Sequence, residues 1–431
     1  MTRNRLFQFL SIFFGIGILC AIELLLRVNG TFAHTVLSPT LPSDWKISGI
    51  PAAGQPQSTM LVRDGNTIHL SQMAKSHMKT PSFELEPETR RIFTFGGSAT
   101  LGVPVEDQPE QTFPGQLSAL LAQVGVPNET LYLGGASFGS DHVNVLANEV
   151  KSLSPSALLI YSGNNEYFNF GLALSQENPR YQTGKIYVQS LHTVRLLNHL
   201  FGRGPTQLTI SYEQIKFEQD IKLAELIQGV LYNEPNSIIW EDGLAVRNDS
   251  ITQTVANRFK NNLRSVLDAY PGQTVIIGEV PPNLFEPPWL SLHHPDTSQS
   301  TQSAFTERTS SIQFLPCEDA IHEWEKLIQM DAWRADAWYG LGVCQHELGL
   351  EYETSLRNAL ELDMNPGRPT AALNAVLTEL DGADVIRFSA FEDTNDFGRS
   401  LFHDSCHLTP EGYGTVAKDF RNALIAQGWA F

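Results

Sequence analysis

Five short apolar runs without polar alternation recur from Arg91 to the C-terminus: RIFTF (91–95), TLYLG (130–134), ALLIYS (157–162), TVIIGEV (274–280) and ADVIRF (383–388). Between them lie stretches of helical periodicity, among them QTFPGQLSALLAQVG, DHVNVLANEVKSL and VANRFKNNLRSVLDAY. A strand that is apolar on both faces has to be covered on both faces, and amphipathic helices between such strands supply the cover. The pattern predicts α/β architecture with a parallel sheet. In such folds the chemistry gathers at the carboxyl ends of the strands, so the residues just after each run matter most. A long, partly helical stretch from about 172 to 255 interrupts the alternation and reads as a lid or a wall of the substrate cleft.

Ahead of this body, Met1-Thr-Arg-Asn-Arg is followed by an apolar run from Leu6 to Leu26. At about 1.5 Å per helical residue, some twenty residues cross a hydrocarbon core, so residues 1–30 predict a transmembrane anchor. Arg3 and Arg5 precede the run and Arg27 follows it. The excess on the N-terminal side places the body on the periplasmic or extracytoplasmic side of the membrane. No small-x-small cleavage site follows, which favours an uncleaved anchor over a signal peptide. Residues 31–88 read as a linker and irregular lead-in, broken by PTLPSD, GIPAAGQPQST and PSFELEPET.

A formal net charge of −18 and the lack of any Lys/Arg cluster exclude nucleic acid as a partner. The four cysteines, Cys20, Cys317, Cys344 and Cys406, form no Cys-x-x-Cys pair, against a zinc ribbon or a thioredoxin-like site. Cys317 and Cys344 share one helical stretch, where they either pair in an oxidising compartment or pack as thiols. That stretch, 311–365, has its own character. It carries Trp338, Leu341, Gly342, Leu348, Gly349, Tyr352, Ala359, Leu360 and Leu362, and resembles the tetratricopeptide repeat, a helix–turn–helix unit. CEDAIHEWEKLIQMDAW, just before, resembles the second helix of a partial repeat. One and a half repeats cannot bury both their faces, so the unit must pack on the α/β body or on a protein partner.

Three loops after the first three runs carry residues fit for chemistry. In FGGSATLG (95–102), Gly96-Gly97 allows a tight turn that stands Ser98 at the sheet edge, with helix-start amides beside it that support an anion. In LGGASFGS the amide of Gly139 suits an oxyanion, and in IYSGNNEYF so does the side-chain amide of Asn164, which donates and cannot ionise. Near the C-terminus, FHDSCHLTPEGYGTVAKDF sets Asp404 three residues before His407. A carboxylate at that spacing holds the imidazole Nδ1–H and leaves Nε2 to take a serine proton. No second cluster of His and carboxylates supplies further ligands, so neither a metal nor a cofactor is expected. His293, His294 and His403 read as polar loop histidines.

Ser, Gly, Asn and Asp-x-x-His in this order resemble the four blocks of the SGNH/GDSL hydrolases, over residues 88–290 and 366–431. The loop EVPPNLFEPPW after the fourth run is similar to loops of some members. The resemblance implies a flavodoxin-like three-layer α/β/α sandwich, first part 89–310 and last part 366–431, interrupted by the helical insertion 311–365. It implies a serine esterase with a Ser98–His407–Asp404 triad and an oxyanion hole of Ser98, Gly139 and Asn164. The resemblance does not supply the substrate; an anchored enzyme facing outwards points by its location to an acylated small molecule, glycan or lipid. An O-acyltransferase using the same triad and a catalytically inactive repeat-bearing scaffold are the alternatives. Two positions depart from the family pattern: Gly-Gly-Ser stands for Gly-Asp-Ser, and Gly163-Asn164-Asn165-Glu166 stands for Gly-x-Asn-Asp.

Overall fold

The computed structural model describes residues 60–71, 74–167, 240–241, 244–245, 249–294, 297–312, 314–364, 366–392 and 397–429. The apolar segment 6–26, the linker up to 59 and most of the expected lid or wall lie outside the described residues. Among the described residues no helix is long and apolar enough to cross a membrane.

Strands β1 (Arg90–Gly96), β2 (Asn128–Gly134), β3 (Ala157–Tyr161), β4 (Thr274–Gly278) and β5 (Asp384–Ile386) form one sheet, with every pairing parallel. Each falls on one of the five apolar runs. Their spatial order is 2-1-3-4-5, a doubly wound order whose direction reverses between β1 and β3. Side chains alternate faces along a strand, yet Ile92, Phe93, Leu158 and Leu159 are all fully buried. Both faces of the sheet are therefore covered.

Eight helices of eight or more residues are described: α1 (Phe113–Gln123), α2 (Ser140–Glu149), α3 (Asp249–Ala269), α4 (Gln299–Ile312), α5 (Cys317–Met330), α6 (Ala335–Glu347), α7 (Glu353–Glu361) and α8 (Pro410–Leu424). Helices α1 and α8 start alike. Thr112 and Thr409 cap them through their hydroxyls, with Pro in the first turn, which satisfies an amide the helix itself leaves unpaired. Phe113, Leu117 and Leu121 of α1 and Tyr413, Val416 and Phe420 of α8 pack with Ile92, Leu159, Tyr161 and Ile276 of the sheet. Helices α2 and α3 pack together, α2 also against β1, and Tyr270 donates to the Ala147 carbonyl. The arrangement is compatible with a three-layer sandwich.

Helices α4 to α7 form an array in which each packs on the next. A Cβ added at Gly342 would lie 2.6 Å from Leu356 Cδ2, so the Leu-Gly pair marks the close approach of α6 to α7. Cys317 and Cys344 are disulfide-bonded, with Cα atoms 4.9 Å apart, beside buried Phe305, Ile312, Ala320 and Leu327. The array starts at Gln299, ahead of residue 311, because α4 completes a hairpin with α5. His293 is a loop residue and a buried one, with Nδ1 2.8 Å from Asp331 Oδ2. Asp331, in the turn between α5 and α6, also accepts from the His294 amide and the Thr297 hydroxyl. A buried carboxylate needs several donors, and these residues supply them.

The lead-in is more regular than its breaks suggest. Leu61–Asp64, Thr67–Leu70 and Phe83–Glu84 form an antiparallel sheet, with Asp64 opposite Thr67 across a two-residue loop of Gly65 and Asn66. Gly65 has φ +61, and an Asp-Gly-Asn turn between β-leaning runs is a hairpin signal in its own right. Glu149 of α2 accepts from the Met60 and Leu61 amides. Fully buried Arg91 donates to Glu129 and to the carbonyls of Glu84 and Leu85.

Candidate active site

Doubly wound sheets form a crevice where the strand order reverses, outside the carboxyl ends of the strands on either side. Here those strands are β1 and β3. Gly96 ends β1, and a Cβ there would lie 2.0 Å from the Tyr161 carbonyl oxygen of β3. At Gly97 a Cβ would lie 2.7 Å from Asn165 Nδ2 and 2.8 Å from the Phe138 carbonyl oxygen. Asn165 in turn donates to that Phe138 carbonyl at 2.9 Å. The loops after β1, β2 and β3 thus meet at the glycine pair, and no larger residue fits there.

Ser98 follows at once, half-buried, and opens a single helical turn, Ser98–Leu101. The first amides of such a turn have no acceptor within it. Across 309 residues of sequence, His407 brings Nε2 to 2.7 Å from Ser98 Oγ. Its Nδ1 lies 2.7 Å from Asp404 Oδ2. Asp404 Oδ1 accepts from the amides of Cys406 (3.0 Å) and His407 (2.9 Å), so carboxylate and ring share one turn. That turn is closed by the bridge between Phe402 and Leu408 and by the bond from the His403 amide to the His407 carbonyl. His403 itself is exposed.

Burial works against both charges of the pair. Even so, the hydrogen bond and charge of His407 bring the Asp404 carboxyl down to about 2. Asp404 and the neighbouring Cys406 hold the His407 imidazole proton and push that ring up to about 10. The ring is thus strongly basic, and only its neutral form can accept the Ser98 proton.

The two oxyanion donors expected beside the Ser98 amide differ in state. Asn164 is buried, and its Oδ1 has no hydrogen-bond partner; neither do the Ser162 hydroxyl and the Tyr161 phenol just before it. Gly139 precedes α2, and its amide reaches back to His142 Nδ1 at 3.4 Å, beyond the usual length for such a bond. Burial, and then the charges of His77 and Arg258, push the His142 imidazole down to about 3. His142 is therefore a neutral acceptor, stacked on Phe138 with ring centroids 4.3 Å apart. An anion at the Gly139 amide competes with a weak, long bond only.

Behind this loop, buried Glu166 accepts from the Ser140 amide and hydroxyl at 2.8 and 2.7 Å. Burial raises its carboxyl to about 7, with Asp141 adding to the rise and the Ser140 bonds opposing it. Asp141 is gripped by Arg258 and Asn262 of α3. Three contributors escaped the sequence reading: Asn165, which bridges two loops; Glu166, which caps α2; and Asn283, which donates to the Asp404 carbonyl at 2.9 Å. Each acts across more than 25 residues, so local spacing carries no trace of it. The signals were the departure at Asn165-Glu166 and the Pro-rich loop around Asn283.

Asp404, Cys406 and His407 bring a carboxylate, a thiol and an imidazole within 4.8 Å of one another. Both imidazole nitrogens are already engaged, so an ion there would have to displace Asp404 or Ser98. No family model and no curated protein matches the chain.

Proposed function

We propose that the chain is a serine esterase of the SGNH/GDSL type that cleaves an O-acyl ester through an acyl-enzyme on Ser98. The observation that carries this reading is the relay Asp404–His407–Ser98, with two 2.7 Å contacts, set at the crevice of a doubly wound sheet. Ser98 Oγ attacks the ester carbonyl and its proton passes to His407 Nε2. The same proton then goes to the departing alkoxide, and water repeats the steps in reverse to free Ser98. The Ser98 and Gly139 amides and the Asn164 Nδ2 hold the oxyanion, a task that suits Asn164 because its buried side-chain amide donates and cannot ionise.

The two departures from the family pattern support the reading rather than weaken it. Gly97 and Asn165 face each other, and the Asn165 amide takes the Phe138 carbonyl where a side chain at 97 has no room. The shifted acid, Glu166, caps α2 instead. For location, we read the apolar segment 6–26 as an anchor holding the body on the extracytoplasmic side. The Cys317–Cys344 disulfide favours an oxidising compartment. Acylated glycans and lipids near a membrane surface are the substrates this placement makes accessible.

The test is covalent labelling of the full chain in detergent with a tagged fluorophosphonate. Wild type should label and Ser98→Ala should not. A folded wild type that resists the probe would sink the esterase reading.

A further inference from the structure

The loop that follows β4 has one side on the helical array and the other on the catalytic turn. Leu284 and Phe285 pack with Leu356 and Leu360 of α7, and the Tyr339 hydroxyl of α6 donates to the Phe285 carbonyl at 2.7 Å. Directly before Leu284 stands Asn283, 7% exposed. Its Nδ2 donates to the Asp404 carbonyl at 2.9 Å and its Oδ1 accepts from the Phe285 amide at 3.1 Å. With donor and acceptor both engaged, the amide has one orientation only.

The Asn283 main chain is held from the array side as well. Arg368, 1% exposed, donates through Nη1 to the carbonyls of Asn283 (2.6 Å) and Glu286 (2.8 Å). Its Nη2 lies 3.5 Å from Oδ2 of Asp363, which stands two residues past the end of α7 and is fully buried. Asp363 binds the same loop a second time, accepting from the amides of Trp289 (2.8 Å) and Leu290 (3.1 Å). A buried cation and a buried anion are costly to desolvate unless they are paired and hydrogen-bonded, and between them these two hold four main-chain groups of one loop. A surface loop with no task beyond packing has no need of such a clamp.

We infer that Asn283 is a positioning residue for the triad acid, and that the helical array sets its place through the buried bridge Asp363–Arg368–Asn283–Asp404. Asp404 fixes the ring of His407 with its side chain, and Asn283 fixes Asp404 by its main chain. The bridge makes the array part of the catalytic apparatus: anything that shifts the end of α7 reaches the Asp404–His407 hydrogen bond. The inference rests on the triad of the proposed esterase, but its geometry concerns the Asp404–His407 pair alone.

Asn283→Asp separates this role from packing. It keeps the acceptor for the Phe285 amide and sets an oxygen against the Asp404 carbonyl in place of the donor. Two measurements on the full chain in detergent decide. One is the far-downfield proton resonance of the Asp404–His407 hydrogen bond, assigned by its loss in Asp404→Asn; the other is the fluorophosphonate labelling rate of Ser98. Asn283→Asp should weaken or abolish the resonance and slow labelling about tenfold, the scale of one well-made hydrogen bond. Arg368→Lys, whose single Nζ cannot stand in for both Nη1 and Nη2, should act in the same direction, and it serves if Asn283→Asp does not fold. An unchanged resonance in a folded variant overturns the bridge, whatever the labelling does. A wild type that shows the resonance but does not label removes the esterase reading, while a resonance lost in Asn283→Asp still upholds the bridge.

Discussion

Opposite demands meet on His407. Burial disfavours its charge, while Asp404 and Cys406 stabilise the proton and push the ring up to about 10. In the proposed esterase the neutral ring is the base, so labelling of Ser98 should rise with pH along a limb well alkaline of the ordinary histidine range. Asp404→Asn removes the carboxylate that holds the proton. The limb should then fall back towards the ordinary range, and labelling at neutral pH should slow by roughly 10⁴-fold. Rates measured from pH 5 to 10 on both proteins check this, and a limb that stays in place would uncouple Asp404 from the ring. In the proposed esterase Asn164 answers a different need, since its amide would meet charge that develops only during reaction. Asn164→Ala should cost about 3–4 kcal/mol of barrier, or roughly 100-fold or more in turnover, with melting little changed. Equal turnover in the variant would take Asn164 out of the oxyanion hole.

Elements fail or hold at their contact points. A methyl at residue 97 meets a backbone carbonyl at 2.8 Å and the Asn165 amide at 2.7 Å, and the carbonyl cannot move without its loop. Gly97→Ala should therefore destabilise the body by about 1–3 kcal/mol and slow Ser98 labelling, both read on one sample by urea unfolding and probe rate. In the array, Asp331 is the weak point towards acid. Burial opposes its charge, but bonds from His293, Thr297, Trp333 and His294 hold its carboxyl below the usual carboxylate range. A depressed folded pKa stabilises fully above the unfolded value and is lost as pH falls through the folded one. Helicity should therefore drop below about pH 4, and Asp331→Ala should remove that step while costing about 3 kcal/mol at neutral pH. Circular dichroism against pH tests both. The same elements show what can be read from sequence. The five strands were legible because each is a closed apolar run, and Ser98, Gly139 and Asn164 because each sits just past one. The hairpin at 61–70 carried its Asp-Gly turn but was outweighed by the prolines around it. Helix α4 is mostly polar, and Phe305, which it buries, finds its partners in the next helix. Asn165, Asn283 and Arg368 stayed hidden because their meaning lies in main-chain atoms far along the chain.

Across the whole molecule, the disulfide and the bridge lie on one path. Cys317 and Cys344 are 27 residues apart, and closing a loop of that length should stabilise by about 3.5 kcal/mol through the unfolded chain. Just past the array it locks stands Asp363, which holds Arg368, which holds Asn283 against the Asp404 turn. A bond remote from Ser98 should therefore matter to Ser98. Protein purified without reductant and denatured should take up alkylating reagent at two of its four cysteines, Cys20 and Cys406, and at all four after reduction. Reduced protein, or the double variant Cys317→Ser/Cys344→Ser, should lose up to about 3.5 kcal/mol of stability in urea. It should also label more slowly at Ser98 under conditions where it is still folded. Slower labelling without unfolding would mean that the array bears on the catalytic turn in the native state. Equal labelling alongside the lost stability would confine the disulfide to holding its own helices, with the bridge rigid enough to stand without it.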